Sequence, residues 1–325
     1  MPDPVTLDDA TVAALLPERP ARGHKGTFGK LLVIAGSLDY AGAALLTCRA
    51  AARAGAGLVT LAVPESLQPL FAAKVVEATT MALPEDEVES LDPELALAAT
   101  LDHEHDAIAL GPGLRPGLAT TEFVRLLLES PGDTPPPLVL DAEALRSMAT
   151  IEGWWTAASR RPAVLTPHPG EFERLRSGAG VEPGHDGDLV DDDSARAAAA
   201  ADAAATWQQV VVLKGAKTVI AAPDGGLAVA PFENPALATG GTGDVLTGTI
   251  GALLAQRLSP FDAARLGVYL HGLAGDSVRE RFGDSGLIAS DLPEAIAIAR
   301  KRLSTVAARR SSRSRIGFAL ARDGG

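Results

Sequence analysis

The chain has 325 residues, 46% of them apolar, 22% charged and only 4% aromatic, with a formal charge of −12 and a single cysteine. That length holds one large α/β domain or two smaller ones, and either buries a full core. The negative balance excludes broad nucleic-acid binding, which rests on neutralising phosphates. The lone Cys48 excludes an internal disulfide and reads as a packed thiol in an Ala-rich helix. The acidic start MPDPVTLDDA and the absence of a long apolar run argue against a signal peptide and a membrane span, and for the cytoplasm.

Short β-branched or Leu-rich runs alternate with Ala-rich helical runs, the pattern of a mostly parallel sheet with helices on both faces. Strands are predicted at 30–35, 58–63, 107–110, 137–140, 163–165, 210–213 and 218–221. The last of these forms a hairpin with 227–230 across the turn Pro223-Asp224-Gly225-Gly226. Beyond Asp244 the chain reads as helical to about Leu303. No composition shift or internal repeat marks a boundary, so 23–303 is expected to be one domain, preceded by an extension (1–22) and followed by a basic, flexible tail (304–325). The stretch 178–194 carries six acids. It lacks the spacing and closing Glu of an EF-hand and reads as a solvated loop.

In an open α/β sheet, ligands gather at the carboxyl ends of the strands. Gly36 with residues 40–43 there suggests a glycine-softened helix start that admits a ligand. Gly111 to Gly113, Asp141 to Glu143, Thr166 to Glu171 and Lys214-Gly215 each follow a predicted strand directly, which points to a shared cleft. His168, between Pro167 and Pro169, is presented from a stiff loop, and Glu171 is a carboxylate suited to a phosphate-bound Mg²⁺, directly or through water. Lys214 and Lys217 place positive charge against a nucleotide.

The richest segment is NPALATGGTGDVLTG, residues 234–248. Gly240, Gly241 and Gly243 let backbone N–H groups converge at the mouth of an apolar helix, where the dipole favours an anion. Asp244 then lies beside that anion, a position that suits a base taking a proton from an attacking hydroxyl. Neither GxGxxG nor GxxxxGK[ST] is present, so the chain carries no dinucleotide fingerprint and no Walker site.

Together HKGTFGKLLVIAGS (24–37), AGAALLTCRAAARAGAGLVTLAVPES (41–66), LGPGL (110–114), TPHPGE (166–171), VLKG (212–215), ATGGTGDVLTG (238–248) and GVYLHGLAGD (267–276) resemble the ADP/ATP-dependent NAD(P)H-hydrate dehydratases of the ribokinase-like superfamily. The resemblance spans about 23–299 and implies repair of NADHX or NADPHX to NADH or NADPH, with ADP or ATP as co-substrate and Mg²⁺ as cofactor. It implies that Asp244 is the base and that Gly241, Thr242 and Gly243 form an anion hole. Ala43, Gly113, His168 and Asp244 would contact the hydrated dinucleotide. Lys214, Gly215, Ala216, Lys217, Thr218 and Gly243 would hold the adenine nucleotide. It further implies a homotetramer and, because little precedes the match, a separate epimerase for the two hydrate forms. The alternative reading is a ribokinase-like kinase of a small alcohol, such as a thiazole or pyrimidine vitamin precursor, with the same base and a stable phosphorylated product.

Overall fold

The computed structural model describes residues 4–130, 132, 134–158, 161–179 and 188–320, with 310–320 by backbone alone. Residues 180–187 of the acidic stretch and the terminal 321–325 lie outside the described residues. Among them the strands are β1 (Val5–Thr6), β2 (Lys30–Ile34), β3 (Leu58–Pro64), β4 (Thr79–Leu83), β5 (Glu85–Glu87), β6 (Ser90–Leu91), β7 (Ala107–Leu110), β8 (Leu138–Leu140), β9 (Ala163–Leu165), β10 (Val210–Leu213), β11 (Val219–Ala221) and β12 (Leu227–Val229).

Ten of these strands form one sheet in the order β1-β12-β11-β10-β9-β8-β7-β2-β3-β4, while β5 and β6 make a small ribbon apart. Only β11 runs against its neighbours, because the turn at 223–226 makes β11 and β12 the expected hairpin. The strands read from periodicity recur within a residue or two of their predicted ends. The elements that periodicity missed sit at the margins: β1 is two residues long, and β4, TTMAL, is only partly covered.

Alternation along the strands divides the core in two. Leu31, Val33, Ala107, Ala109 and Val212 face the helices Ala41–Ala54, Thr242–Ala255, Pro260–Phe282 and Leu292–Leu320. Leu32, Ile34, Ile108, Leu110, Val211 and Leu213 face Leu118–Glu129, Pro169–Gly178 and Asp193–Trp207 on the other side. There Trp154, Phe172 and Trp207 pack edge to face or tilted, with ring centroids 5.0 to 5.4 Å apart. Cys48 is buried in the first cluster, and burial pushes its thiol up to about 12, so it is a packing group.

Residues ahead of 23 are part of this structure: Leu7, Val12 and Ala13 are buried, and β1 pairs with β12. At the other end the last helix continues past the expected Leu303 to Leu320, as its run of Ala and Arg favours. Arg300 on that helix donates to Ala54 O and Gln256 Oε1.

The sheet order reverses at β2. The chain steps outward through β3 and β4 on one side and through β7 to β10 on the other, and the crossover helices that follow β2 and β7 lie on opposite faces. That split leaves a crevice at the carboxyl ends of β2 and β7, bridged by Gly36 N–H donating to Pro112 O at 2.8 Å.

Helix Thr242–Ala255 lies over this crevice and is packed most extensively against Ala41–Ala54. The two approach so closely at Gly248 that a Cβ there would stand 2.1 Å from Thr47 O. Thr47 Oγ1 in turn donates to Ala43 O (2.9 Å) and Asp244 O (3.2 Å), so the crossing sets the height of Asp244 above the sheet. Gly248→Ala should therefore destabilise the fold by roughly 1 to 3 kcal/mol through overpacking. The urea midpoint of unfolding, at constant slope, is the measurement.

Candidate active site

In a parallel sheet each ladder extends one rung beyond the strand, and four such rungs build the site. Gly111 N bonds Ile34 O (3.1 Å), Asp141 N bonds Leu110 O (3.2 Å), Thr166 N bonds Leu140 O (3.1 Å) and Lys214 N bonds Pro167 O (2.9 Å). The first polar residues after β7, β8, β9 and β10 are thereby laid side by side along one edge.

Lys214 is the hub of this row. Its Nζ donates to Asp141 Oδ1 at 2.8 Å and lies 3.7 Å from Glu171 Oε2. Asp141 is only 2% exposed, and its second oxygen accepts from Thr247 Oγ1 at 2.7 Å. The sequence places Asp141 at the cleft without revealing its partners, and Thr247 is missed altogether, since nothing local in DAE or VLTG shows that they meet. Ala142, which follows Asp141, holds the left-handed φ of +49° at the start of helix Glu143–Met148. Backbone strain of this kind collects at functional sites.

Gly241 takes φ +91° as the N-cap of helix Thr242–Ala255. Thr242 donates its N–H to Thr239 O (3.3 Å) and its hydroxyl to Leu237 O (2.8 Å) and Thr239 O (3.0 Å), closing the glycine turn. The next N–H groups, of Gly243 and Asp244, stand in the first turn, where a helix has no internal acceptor to offer. A Cβ on Gly243 would be 3.5 Å from Lys214 Nζ and 3.6 Å from Asp141 Oδ2, which puts the helix mouth directly on the ion pair.

Asp244, half-buried in the same turn, has a carboxyl pushed up to about 7, chiefly by burial and next by the Asp141 carboxylate, with the Lys214 ammonium offsetting part of the rise. For Lys214, burial pulls the pKa down, but Asp141, Glu171 and Asp244 outweigh it and hold the ammonium above its ordinary range. The lysine is therefore charged while Asp244 sits at the balance point of its titration near neutrality, the state a general base requires.

Ala43 and Gly113 are neighbours across the crevice: a Cβ on Gly113, whose φ is +67°, would stand 2.8 Å from Ala43 Cβ. His168 caps helix Pro169–Gly178. Its Nδ1 accepts from Gly170 N (3.1 Å) and Glu171 N (3.4 Å), and its own N–H donates to Glu171 Oε2 (2.9 Å). The imidazole is half exposed, with Nε2 3.5 Å from Glu171 Oε1, and joins the Lys214 cluster through that carboxylate.

Beside the cluster opens a cavity of about 540 Å³, lined by the polar Lys214 and Thr242 with Gly243 and by the apolar Phe232, Leu237 and Val268. Gly215, Ala216 and Thr218 form part of its wall. Lys217 does not: its ammonium binds Asp193 Oδ2 (2.9 Å) and Glu233 Oε1 (2.8 Å). Sequence reasoning missed His271 here, buried on the cavity wall with Nε2 2.9 Å from Thr242 O. Burial pulls it down to about 4, so it is neutral and donates to that carbonyl. Among the described residues no group of three or more His, Cys, Asp or Glu encloses a cation, and none of the described helices is long and apolar enough to cross a membrane.

A helix-covered, mostly parallel sheet with a glycine turn and a neutral-range acid at its carboxyl edge gives the chain a ribokinase-like fold. The family model described as NAD(P)H-hydrate dehydratase matches residues 31–297, and the chain belongs to that family. The chain is 43% identical to the bifunctional NAD(P)H-hydrate repair enzyme of Moorella thermoacetica over 88% of its length, and it spans about half (52%) of that relative. It is 38% identical to the ADP-dependent (S)-NAD(P)H-hydrate dehydratase of Bacillus subtilis, over 90% of this chain and 96% of the relative. The crystal structure of the B. subtilis ADP/ATP-dependent NAD(P)H-hydrate dehydratase, co-crystallized with ATP/Mg²⁺, superposes with a TM-score of 0.77 at 36% identity, covering 93% of this chain and 99% of that one. The small-alcohol kinase reading gains no support from these likenesses.

If Asp244 must be ionised to act, kcat/KM should rise with pH up to about 7 and level off above it. Asp141→Asn removes a like charge that raises Asp244 and frees the Lys214 ammonium to favour its charged form. The midpoint should then move to lower pH, by about one unit or more, while the plateau rate falls. A pH–rate profile of both proteins checks the direction.

Proposed function

We propose that the chain dehydrates the S form of NADHX or NADPHX to NADH or NADPH at the expense of ADP or ATP. The observation that carries this reading is the acid at the glycine-rich helix mouth, with its titration moved to about 7 beside a half-buried lysine. A hydroxyl on a saturated ring carbon is a poor leaving group, and phosphorylation turns it into a good one. Asp244 takes the proton from that hydroxyl as its oxygen attacks the nucleotide's terminal phosphorus, and ADP departs as AMP. The C–O bond to phosphate then breaks, pushed by the ring nitrogen's lone pair, and loss of a proton from the neighbouring carbon restores the ring double bond.

We assign the anion hole to Gly241, Thr242 and Gly243, with Lys214 positioned to follow charge onto the transferring oxygens. Ala43, Gly113 and His168 are assigned to the hydrated dinucleotide, and Lys214, Gly215, Ala216 and Thr218 with Gly243 to the adenine nucleotide. Ala43 and Gly113 lie outside the 540 Å³ cavity that Gly243 lines, and Thr47 bonds both Ala43 O and the O of Asp244, the residue after Gly243, which supports that division. Of the two nucleotides we favour ADP.

The donor set fits a Mg²⁺ that arrives on the nucleotide's phosphates better than a resident ion, because Glu171, already bonded by His168 N, is free to reach a cation only through water. Bound there, Mg²⁺ would neutralise phosphate charge. We further propose a cytoplasmic homotetramer working beside a separate epimerase. Large apolar side chains that stay exposed, Tyr40 and Leu118 among them, suit packing between copies.

Purified protein given ADP and NADHX should restore the absorbance of reduced nicotinamide; no restoration with either ADP or ATP would remove the reading. Asp244→Asn should cut turnover roughly a hundred- to ten-thousand-fold while nucleotide binding persists. The same change should stabilise the fold. A carboxyl raised from 3.8 to about 7 on folding costs stability progressively as pH climbs through that window and fully above it. At pH 8 the amide variant should gain roughly 1 to 4 kcal/mol over the parent, a gain that shrinks toward zero near pH 4. Denaturant unfolding at the two pH values reads it.

A further inference from the structure

The acidic stretch 178–194 has no part in the chemistry above, yet its described end is built into the back of the nucleotide cavity. Asp193 opens helix Asp193–Trp207 and divides its carboxylate. Oδ1 accepts from Arg196 Nη2 at 2.5 Å, and Oδ2 accepts from Lys217 Nζ at 2.9 Å. Lys217 is shared in turn with Glu233 at 2.8 Å. Four charges of net zero thus join three segments: the helix start, the turn at 214–218, and the strap after β12.

The last two of these segments supply cavity walls, through Gly215, Ala216, Thr218, Phe232 and Glu233.

Arg196 is the inner anchor. It is 1% exposed and reaches Leu189 O and Val190 O, while its Nε has no partner. Its Nη1 lies so close behind the turn that a Cβ on Gly215 would stand 2.7 Å from it. The guanidinium therefore fills the space a side chain at 215 would need, and the flat face of the turn is backed by a rigid planar group. On the outer side Lys217 holds a left-handed φ of +52°, a conformation that a side-chain-bearing residue adopts only at a cost and that needs an external hold. Its N–H to Phe232 O (2.8 Å) and the two carboxylates supply it.

A surface pair is worth little alone, but a network anchored on a buried arginine is not easily surrendered, since removing Asp193 leaves that charge uncompensated. The hydrogen bond from Lys217 holds the Asp193 carboxyl below its usual range, in keeping with a permanently ionised brace.

We infer that Asp193 and Arg196 are positioning residues for the adenine nucleotide, which preorganise the Gly215–Thr218 wall from behind and touch neither substrate. The inference rests on the nucleotide reading of the cavity. Isothermal titration calorimetry of ADP into the full-length protein, with no hydrate present, tests it. Asp193→Asn and Arg196→Met should weaken ADP binding roughly 5- to 30-fold. KM for ADP should rise in step, with kcat at saturating ADP and KM for the hydrate within about twofold of the parent, and Asp193→Glu should recover most of the loss. If Arg196→Met fails to fold, Asp193→Asn decides alone.

Unchanged ADP affinity in a folded Asp193→Asn protein overturns the brace, as does a fall in kcat with KM for ADP unmoved. A parent chain that binds ADP yet leaves NADHX untouched would remove the dehydratase reading and leave the brace standing. A parent that binds neither ADP nor ATP would remove both.

Discussion

The contact between the half-buried Lys214 ammonium and the buried Asp141 carboxylate is the interaction on which the remainder of the site depends. An aspartate at 2% exposure is tolerable only if paired and hydrogen-bonded, and Asp141 is both, through Lys214 and Thr247. Once that pair is in place, every other titratable group nearby is defined by it. Asp244 feels a like charge it cannot escape, and Glu171 shares the lysine at longer range. Three carboxylates then surround one ammonium, so the cluster carries excess negative charge before any substrate enters. Phosphates entering it would raise Asp244 further and stall a base, unless positive charge travels with them or the helix mouth absorbs part of the field.

The pair exists because of the sheet. Asp141 and Lys214 are 73 residues apart, and Asp141 and Thr247 are 106 apart. Parallel register brings them together, each standing one rung beyond its strand. Helix Thr242–Ala255 must then cross at the right height, which the missing side chain at Gly248 permits. A small backbone-level accommodation at a buried helix crossing thus decides where the acid sits.

This division between local and long-range causes explains what could be read from the chain alone. The strands, the hairpin and the glycine-rich helix mouth have local signatures, namely apolar runs, a Pro-Asp-Gly-Gly turn and clustered glycines, and these are where the structure has them. Proline on both sides of His168 likewise marked a stiff, outward-presented ring. Lys214 was harder. A lysine closing a strand is usually solvated, and only the position of Asp141 across one intervening strand end makes it a half-buried hub. Thr247 and His271 carry no pattern of their own, and Asp141 reads only as a strand-end acid, since the role of each is defined by a partner distant in sequence. β1 and β4 escaped notice because marginal strands have half a ladder and little alternation.

Lys217 shows the limit from the other direction. Its position in KGAKT suggested a cation turned toward a ligand, but electrostatics decides where a flexible ammonium goes, and Asp193 and Glu233 provide a stronger local field than an open cavity does. The acids responsible lie at the end of a stretch whose composition reads as solvated. Composition averages over a segment, whereas a brace needs only one carboxylate at one helix start. Segments enriched in a single charge are therefore best judged residue by residue. In this chain Asp193 joins a buried guanidinium to the turn whose Gly215, Ala216 and Thr218 form part of the cavity wall, a connection that no average over the segment could reveal.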